Sequence, residues 1–204
     1  MIWYNDFAQG SEQWHEARRG RFGGSAAHLF LVKGKNAHGI GSGLVAEMYN
    51  LVGEKLVGYE TPSYSSFATE RGNDLEPIAR QAYELRNFCT VQQVGYVSVA
   101  DWFGVSPDGV LDDGITEIKC PLAKEFIRYA NTGEIDSDHV AQMQWGMWIT
   151  KRNWCDYIVF HPELGMIVKR IEADTEMHEV FFQKTEIVHE RMDSIMETMI
   201  KIAG

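Results

Sequence analysis

The chain has 204 residues, 45% of them hydrophobic and 12% aromatic, and a formal net charge of −10. That length suits one well-buried domain over residues 1–204 and is short for two, while the acidic balance argues against a broad basic face for phosphate contacts. Apolar runs such as 26–32 are far too short to cross a bilayer and no charged-then-apolar leader opens the sequence, so the expectation is a soluble, cytoplasmic protein without membrane contact.

The three cysteines, Cys89, Cys120 and Cys155, lie far apart and form no CxxC pair. They predict buried free thiols rather than a disulfide framework or a zinc ribbon. The charge is unevenly spread: residues 1–35 carry five basic and three acidic side chains, whereas 172–204 carry three basic and eight acidic ones. A local basic lining inside an acidic body is compatible with that distribution.

In chain order, 11–19 predicts a short helix opened by Ser11 and closed at Gly20. Gly23-Gly24-Ser25 then opens a second helix over 26–32. Arg18, Arg19 and Arg21 crowd near its N-terminus, whose free N–H groups and dipole also favour an anion; taken alone, the same residues suit a solvated basic turn. Residues 33–43 form a glycine-rich loop without the Lys-Ser/Thr ending of a nucleotide-binding loop, expected to be mobile, with Lys33 and Lys35 in reach of a nucleic acid.

A helix follows over 44–57, with Leu44, Val45, Met48, Leu51, Val52 and Leu56 as its apolar stripe. Another spans 72–86, with Pro77 in its first turn. There Leu75, Ile78, Ala79 and Ala82 are expected to face inward, leaving Glu76 at the edge of that face beside Tyr83. Residues 90–99 and 102–105 are β-prone and lead as a meander into the most informative stretch, 106–121.

Within it, Asp112-Asp113-Gly114 is a tight-turn signal between two short β-prone runs. A two-residue loop at Asp112-Asp113 sets Asp108 opposite Glu117; one at Asp113-Gly114 sets it opposite Lys119. Either register puts Asp108, Glu117 and Lys119 on one face, because side chains alternate with a period of two. Apolar flanks (Val110, Leu111, Ile115, Ile118) mark the hairpin as core-packed. Two carboxylates and an ammonium on a buried face are costly unless something binds there. Hard oxygen ligands from Asp108 and Glu117, with a neighbouring carbonyl such as that of Ile118, suit Mg²⁺ or Mn²⁺. Lys119 is then placed to orient or polarise a water near a phosphate.

Beyond Pro121 the pattern predicts helices over 122–130 and 139–150, strands over 154–160 and 166–171, and a long acidic amphipathic helix over 174–202. That last helix is expected to pack on the domain or on a neighbouring subunit.

The string Ser-Pro-Asp-Gly at 106–109 followed by Glu-Ile-Lys-Cys-Pro at 117–121 resembles the PD-(D/E)xK nuclease signature. More narrowly, it resembles the phage alkaline exonucleases of the lambda exonuclease and YqaJ-like viral recombinase group. Three further motifs agree in order: Trp14-His15-x-x-Arg18-x-Gly20 with Ser25 after it, Gly72-x-x-x-Glu76-x-x-Ala79-Arg80, and the 141–148 helix segment with Gln142. The resemblance implies an α/β fold, a mixed central β-sheet flanked by helices. It also implies a Mg²⁺-dependent 5′→3′ exonuclease on double-stranded DNA ends that leaves 3′ overhangs, with two metal ions held by Asp108, Glu117 and Glu76, and Glu70 as the alternative to Glu76. Lys119 would activate water, Gln142 (or its neighbour Gln144) would approach the site, and Arg18, Ser25 and Ser106 would take the 5′-phosphate. A homotrimeric ring and a single-strand annealing protein as partner are implied by resemblance alone. The competing readings are an endonuclease on the same metal hairpin and a catalytically silent DNA-binding or assembly subunit.

Overall fold

The computed structural model describes residues 1–35, 38–61 and 67–203, with the side chains of 67–70 outside that description. Its strands form two sheets. The first is antiparallel, in the order β1 (Ile2–Tyr4), β2 (Tyr96–Val99), β3 (Phe103–Val105). The second runs β4 (Gly109–Val110), β5 (Gly114–Lys119), β6 (Trp154–His161), β7 (Gly165–Glu172), with β5 and β6 parallel and the outer pairs antiparallel. The expected continuous meander is therefore divided: β2 pairs with β1 on one side and β3 on the other, and among the described residues an isolated bridge from Gln92 to Val110 joins the 90–95 stretch to the hairpin.

The helices are α1 (Glu12–Arg18), α2 (His28–Leu31), α3 (Ser42–Val57), α4 (Phe67–Asn87), α5 (Ala123–Thr132), α6 (Ser137–Thr150) and α7 (Thr175–Ala203). Ser11 caps α1 by accepting the Trp14 N–H, and Gly20 follows at φ +66°. The helix expected over 26–32 is instead a single 3₁₀ turn, Gly24–Ala26, and the four-residue α2. So short a segment has no substantial dipole to offer an anion. At the base of the glycine-rich loop, Lys33 bridges to Ile40 and the Gly34 N–H donates to the Gly39 carbonyl, while residues 36–37 lie outside the described part.

The main core gathers Phe22, Phe30, Phe103, Trp145 and Phe181, which bring α2, β3, α6 and α7 together. Burial of these rings is the dominant driving force available to such a chain. A smaller cluster, Ala79, Tyr83, Val91, Ile118, Ile158 and Phe160, seats α4 on the other face of the second sheet. Helix α4 starts earlier than its pattern suggests, which leaves Pro77 in its interior. Its buried face also differs from the expectation: Ile78 is 52% exposed, while Ala79, Arg80 and Tyr83 are buried. Residues 76, 79, 80 and 83 share one helical face, so Glu76 points inward with them. Among the described residues, no helix is long and apolar enough to cross a membrane. All three cysteines are free thiols, but only Cys155 is fully buried.

Candidate active site

The hairpin register resolves the two alternatives left by its turn. Gly109 pairs with Thr116 and Val110 with Ile115, and the Leu111 N–H donates to the Gly114 carbonyl at 2.9 Å, so Asp112-Asp113 is the loop and Asp108 stands opposite Glu117. Gly109 is required by a close approach: a Cβ there would lie 2.0 Å from Val91 Cγ1 and 2.6 Å from Thr116 Oγ1. Asp108 Oδ2 accepts the Ile118 N–H at 2.6 Å. Within a strand the N–H and C=O of one residue address the same edge. The Ile118 carbonyl therefore points toward Asp108, past the end of β4.

Glu117 is buried and its Oε1 lies 2.7 Å from Lys119 Nζ, which also donates to Gln142 Oε1 at 3.2 Å. Glu76 approaches from α4 and pairs with Arg80 at 3.4 Å, while Arg80 donates to the Asp108 carbonyl at 3.1 Å. Burial, then the Glu117 and Glu76 charges, hold the Asp108 carboxyl well above the ordinary range against the Ile118 hydrogen bond and Lys119. Glu76 is also raised, by burial first and by Glu117, with Arg80 and Lys119 opposing. Burial works to discharge Lys119, but Glu117, Asp108 and Glu76 together outweigh it and raise its pKa. Lys119 is thus an ammonium here, a donor and orienting charge rather than a neutral base.

A cleft of about 510 Å³ runs from this cluster to α1, lined by Glu76, Asp108 and Gln142 at one end and by Arg18, Ser25 and Ser106 toward the other. Arg18 lies over the Trp14 ring at 4.4 Å and 3.6 Å from Glu60. The Ser106 hydroxyl accepts from Trp14 Nε1 at 2.7 Å and donates to the Gly95 carbonyl at 3.0 Å, so its one proton is committed within the protein. Gly24 lets the 3₁₀ turn pass close to α6, since a Cβ there would lie 3.0 Å from Gln142 Cγ. The two glutamines separate cleanly: Gln142 lines the cleft, whereas Gln144 is buried and spends its amide on the Glu172 carbonyl and the Asp174 N–H. The Glu70 side chain lies outside the described residues.

The lining is not the basic passage that the charge distribution suggested. Two guanidiniums, Arg18 and Arg21, face five carboxylates, Glu47, Glu54, Glu60, Glu76 and Asp108. Such a cleft repels phosphate unless cations offset it, and its hard oxygen donors are the type that Mg²⁺ and Mn²⁺ accept. The donor set of Asp108, Glu117 and Glu76 therefore fits a divalent cation in chemistry and in charge. Among the described residues, no group of three or more His, Cys, Asp or Glu side chains is close enough together to hold a metal ion as the side chains stand. Sequence reasoning passed over Arg80, Glu60 and the Trp14 side chain. Arg80 follows Glu76 by one helical turn, a spacing visible in the sequence; Glu60 carries no local signal.

The comparisons with known proteins bear on the fold and the family. LHK-Exo, an alkaline exonuclease from Laribacter hongkongensis, superposes in its complex with dAMP at a TM-score of 0.81 and 29% identity, covering 95% of this chain and 98% of that one. Another crystal structure of LHK-Exo gives 0.80 at the same identity and coverage. A phage-related exonuclease from Haemophilus somnus 129PT gives 0.68 at 13% identity, covering 88% of this chain and 96% of that one, a likeness of fold alone. No curated protein matches. The YqaJ-like viral recombinase domain matches residues 13–153, which contain every residue of the cleft discussed above, and the chain belongs to that family.

Proposed function

We propose that the protein is a Mg²⁺-dependent 5′→3′ exonuclease that degrades one strand from double-stranded DNA ends and leaves a 3′ overhang for recombination by strand annealing. The observation that carries this reading is that one cleft is lined both by Arg18 and by Glu76, Asp108 and Gln142, the last of which accepts a hydrogen bond from Lys119. Kinship with an alkaline exonuclease over nearly the whole chain supports the nuclease role. Asp108, Glu117 and Glu76, with the Ile118 carbonyl, would hold Mg²⁺ (or Mn²⁺), two ions being the arrangement the resemblance implies. A bound divalent ion supplies positive charge that polarises a phosphoryl oxygen and favours ionisation of water.

The chain's own residues do the rest. Lys119, kept protonated and aimed by Glu117 and Gln142, donates toward the reacting phosphate and its attacking water. Arg80 holds Glu76 and the Asp108 backbone in place. Arg18 grips the terminal 5′-phosphate in a two-pronged manner an ammonium cannot reproduce, with Ser25 beside it and Ser106 available only if its proton leaves Gly95. A homotrimeric ring around the DNA and a single-strand annealing partner belong to the same proposal. Linear, nicked and closed circular duplexes incubated with and without Mg²⁺ test it: linear DNA alone is expected to lose its 5′ strands, and only with metal. Cutting of closed circles would make the protein an endonuclease instead.

A further inference from the structure

The cleft contains a carboxylate that the proposed reaction does not use. Glu60 Oε1 lies 3.6 Å from Arg18 Nε, and its Oε2 lies 3.2 Å from His15 Nδ1. That Oε1 is buried and accepts no hydrogen bond among the described residues. The pair is nonetheless held in place from both sides. Glu54 on α3 accepts the Thr61 N–H at 2.8 Å through one oxygen and the Gly20 N–H at 3.2 Å through the other, and the Thr61 hydroxyl bonds Asn50 at 2.5 Å. Arg18 is fixed over the Trp14 ring.

We infer that Glu60 is a built-in competing anion, which occupies Arg18 when no DNA end is present and yields it to a terminal phosphate but not to an internal phosphodiester. This rests on Arg18 being the reader of the 5′ end. A tethered carboxylate competes as an intramolecular ligand, at an effective concentration that a passing group must overcome. An internal phosphodiester carries one negative charge, the same as the carboxylate, and has no electrostatic advantage over it. A terminal phosphate carries nearly two at neutral pH and offers three acceptor oxygens to the guanidinium fork. The long Arg18–Glu60 separation and the unbonded Oε1 leave a pair weak enough for that ligand to displace. Glu60 thereby sets the charge threshold for engaging Arg18.

The test measures binding by the full chain in EDTA, so that nothing is cleaved, to a labelled 5′-phosphorylated duplex end, to a 5′-hydroxyl end, and to closed circular duplex as competitor. Glu60→Gln is expected to bind the phosphorylated end roughly two- to fivefold more tightly, the scale of one partly exposed ion pair. Closed circles should also compete better, because Arg18 is now open to internal phosphates. Glu60→Asp, which keeps the charge but withdraws it by one methylene, should give a smaller gain. Adding Arg18→Ala to Glu60→Gln should erase the gain. Unchanged or weaker binding of the phosphorylated end by Glu60→Gln, with Arg18→Ala still losing end preference, would show that Glu60 merely positions Arg18 and would overturn the inference. If Arg18→Ala alone keeps the preference for phosphorylated ends, it is the end-reading assignment that fails.

Discussion

Two buried carboxylates on opposite faces of the second sheet have opposite fates. Asp156, in β6, accepts the Tyr83 hydroxyl at 2.6 Å and a two-pronged contact from Arg170 at 2.8 and 2.9 Å, and Arg170 in turn lies 3.5 Å over the Trp154 ring. Its charge and its lone pairs are satisfied from within the chain. Asp108 has a single N–H from Ile118, and its nearest charged neighbours include Glu117 and Glu76, of its own sign. The difference separates a carboxylate that joins β6, β7 and α4 from one that stands among charges of its own sign.

The strongest way to break this comparison is to remove each carboxylate in turn. Asp108→Ala and Lys119→Ala should fold and bind DNA yet lose cleavage by about 10²-fold or more, the usual effect of deleting a charged group aimed at a transition state. Glu76→Gln should also be impaired; an inert Glu76→Gln beside an essential Glu70 would move that role one helical turn or more along α4. Cleavage rates under single-turnover conditions decide, and a near-wild-type rate for Asp108→Ala or Lys119→Ala would show the cluster to be structural.

Asp156→Ala should do the reverse. It leaves the buried Tyr83 hydroxyl without its acceptor and the half-exposed Arg170 without its partner, and should lower stability by roughly 1–2 kcal/mol, most of it from the lost hydrogen bond because solvent screens the arginine. Residual folded protein should still cleave. Denaturant titration together with the cleavage assay checks both halves, and an Asp156→Ala protein of normal stability but no activity would erase the distinction drawn here.

Much of this arrangement is legible in local sequence because it depends on local rules. Asp112-Asp113 allowed only a few turn geometries, and the period of two carried Asp108, Glu117 and Lys119 to one face in either two-residue register. The helices α3, α5, α6 and α7 lie close to where the sequence pattern predicts them, although α3, α5 and α6 begin without a side-chain cap. What local rules could not supply is whatever a distant element decides. Glu76 was placed at the edge of its helix by hydrophobicity, because a charged residue on the buried face is penalised unless partners are known, and those partners, Arg80 and the hairpin, are matters of tertiary structure. The break between β3 and β4 is invisible because both strands are equally β-prone, and the pairing of β2 with β1, about half the chain away in sequence, draws β2 and β3 into a separate sheet. Gln142 and Gln144 lie two residues apart on one helix, and only packing against β7 and α7 shows which is committed elsewhere.

The finest test compares charge with shape at Asp108 itself. Burial and two carboxylates of the same sign raise its pKa, so the folded chain holds a proton that the unfolded chain has already released. By linkage, the contribution of this group to stability is greatest below the unfolded pKa and falls as pH rises through the interval up to the folded value. At pH 8 without metal the group has therefore lost that contribution, or must hold a proton against the solvent, and either way it works against the fold. Asp108→Asn keeps an oxygen for the Ile118 N–H and discards the charge, so in EDTA at pH 8 it should melt higher than wild type by about 2–4 °C, equivalent to about 1 kcal/mol in a chain of this size. At pH 4, where the wild-type carboxyl is largely protonated, that advantage should shrink. Mg²⁺ should raise the melting temperature of wild type at pH 8 and do little for Asp108→Asn. Thermal melts at both pH values, with and without metal, measure all of this, and an Asp108→Asn protein that melts below wild type in EDTA at pH 8 would mean that Asp108 is held for its fit and not against its charge.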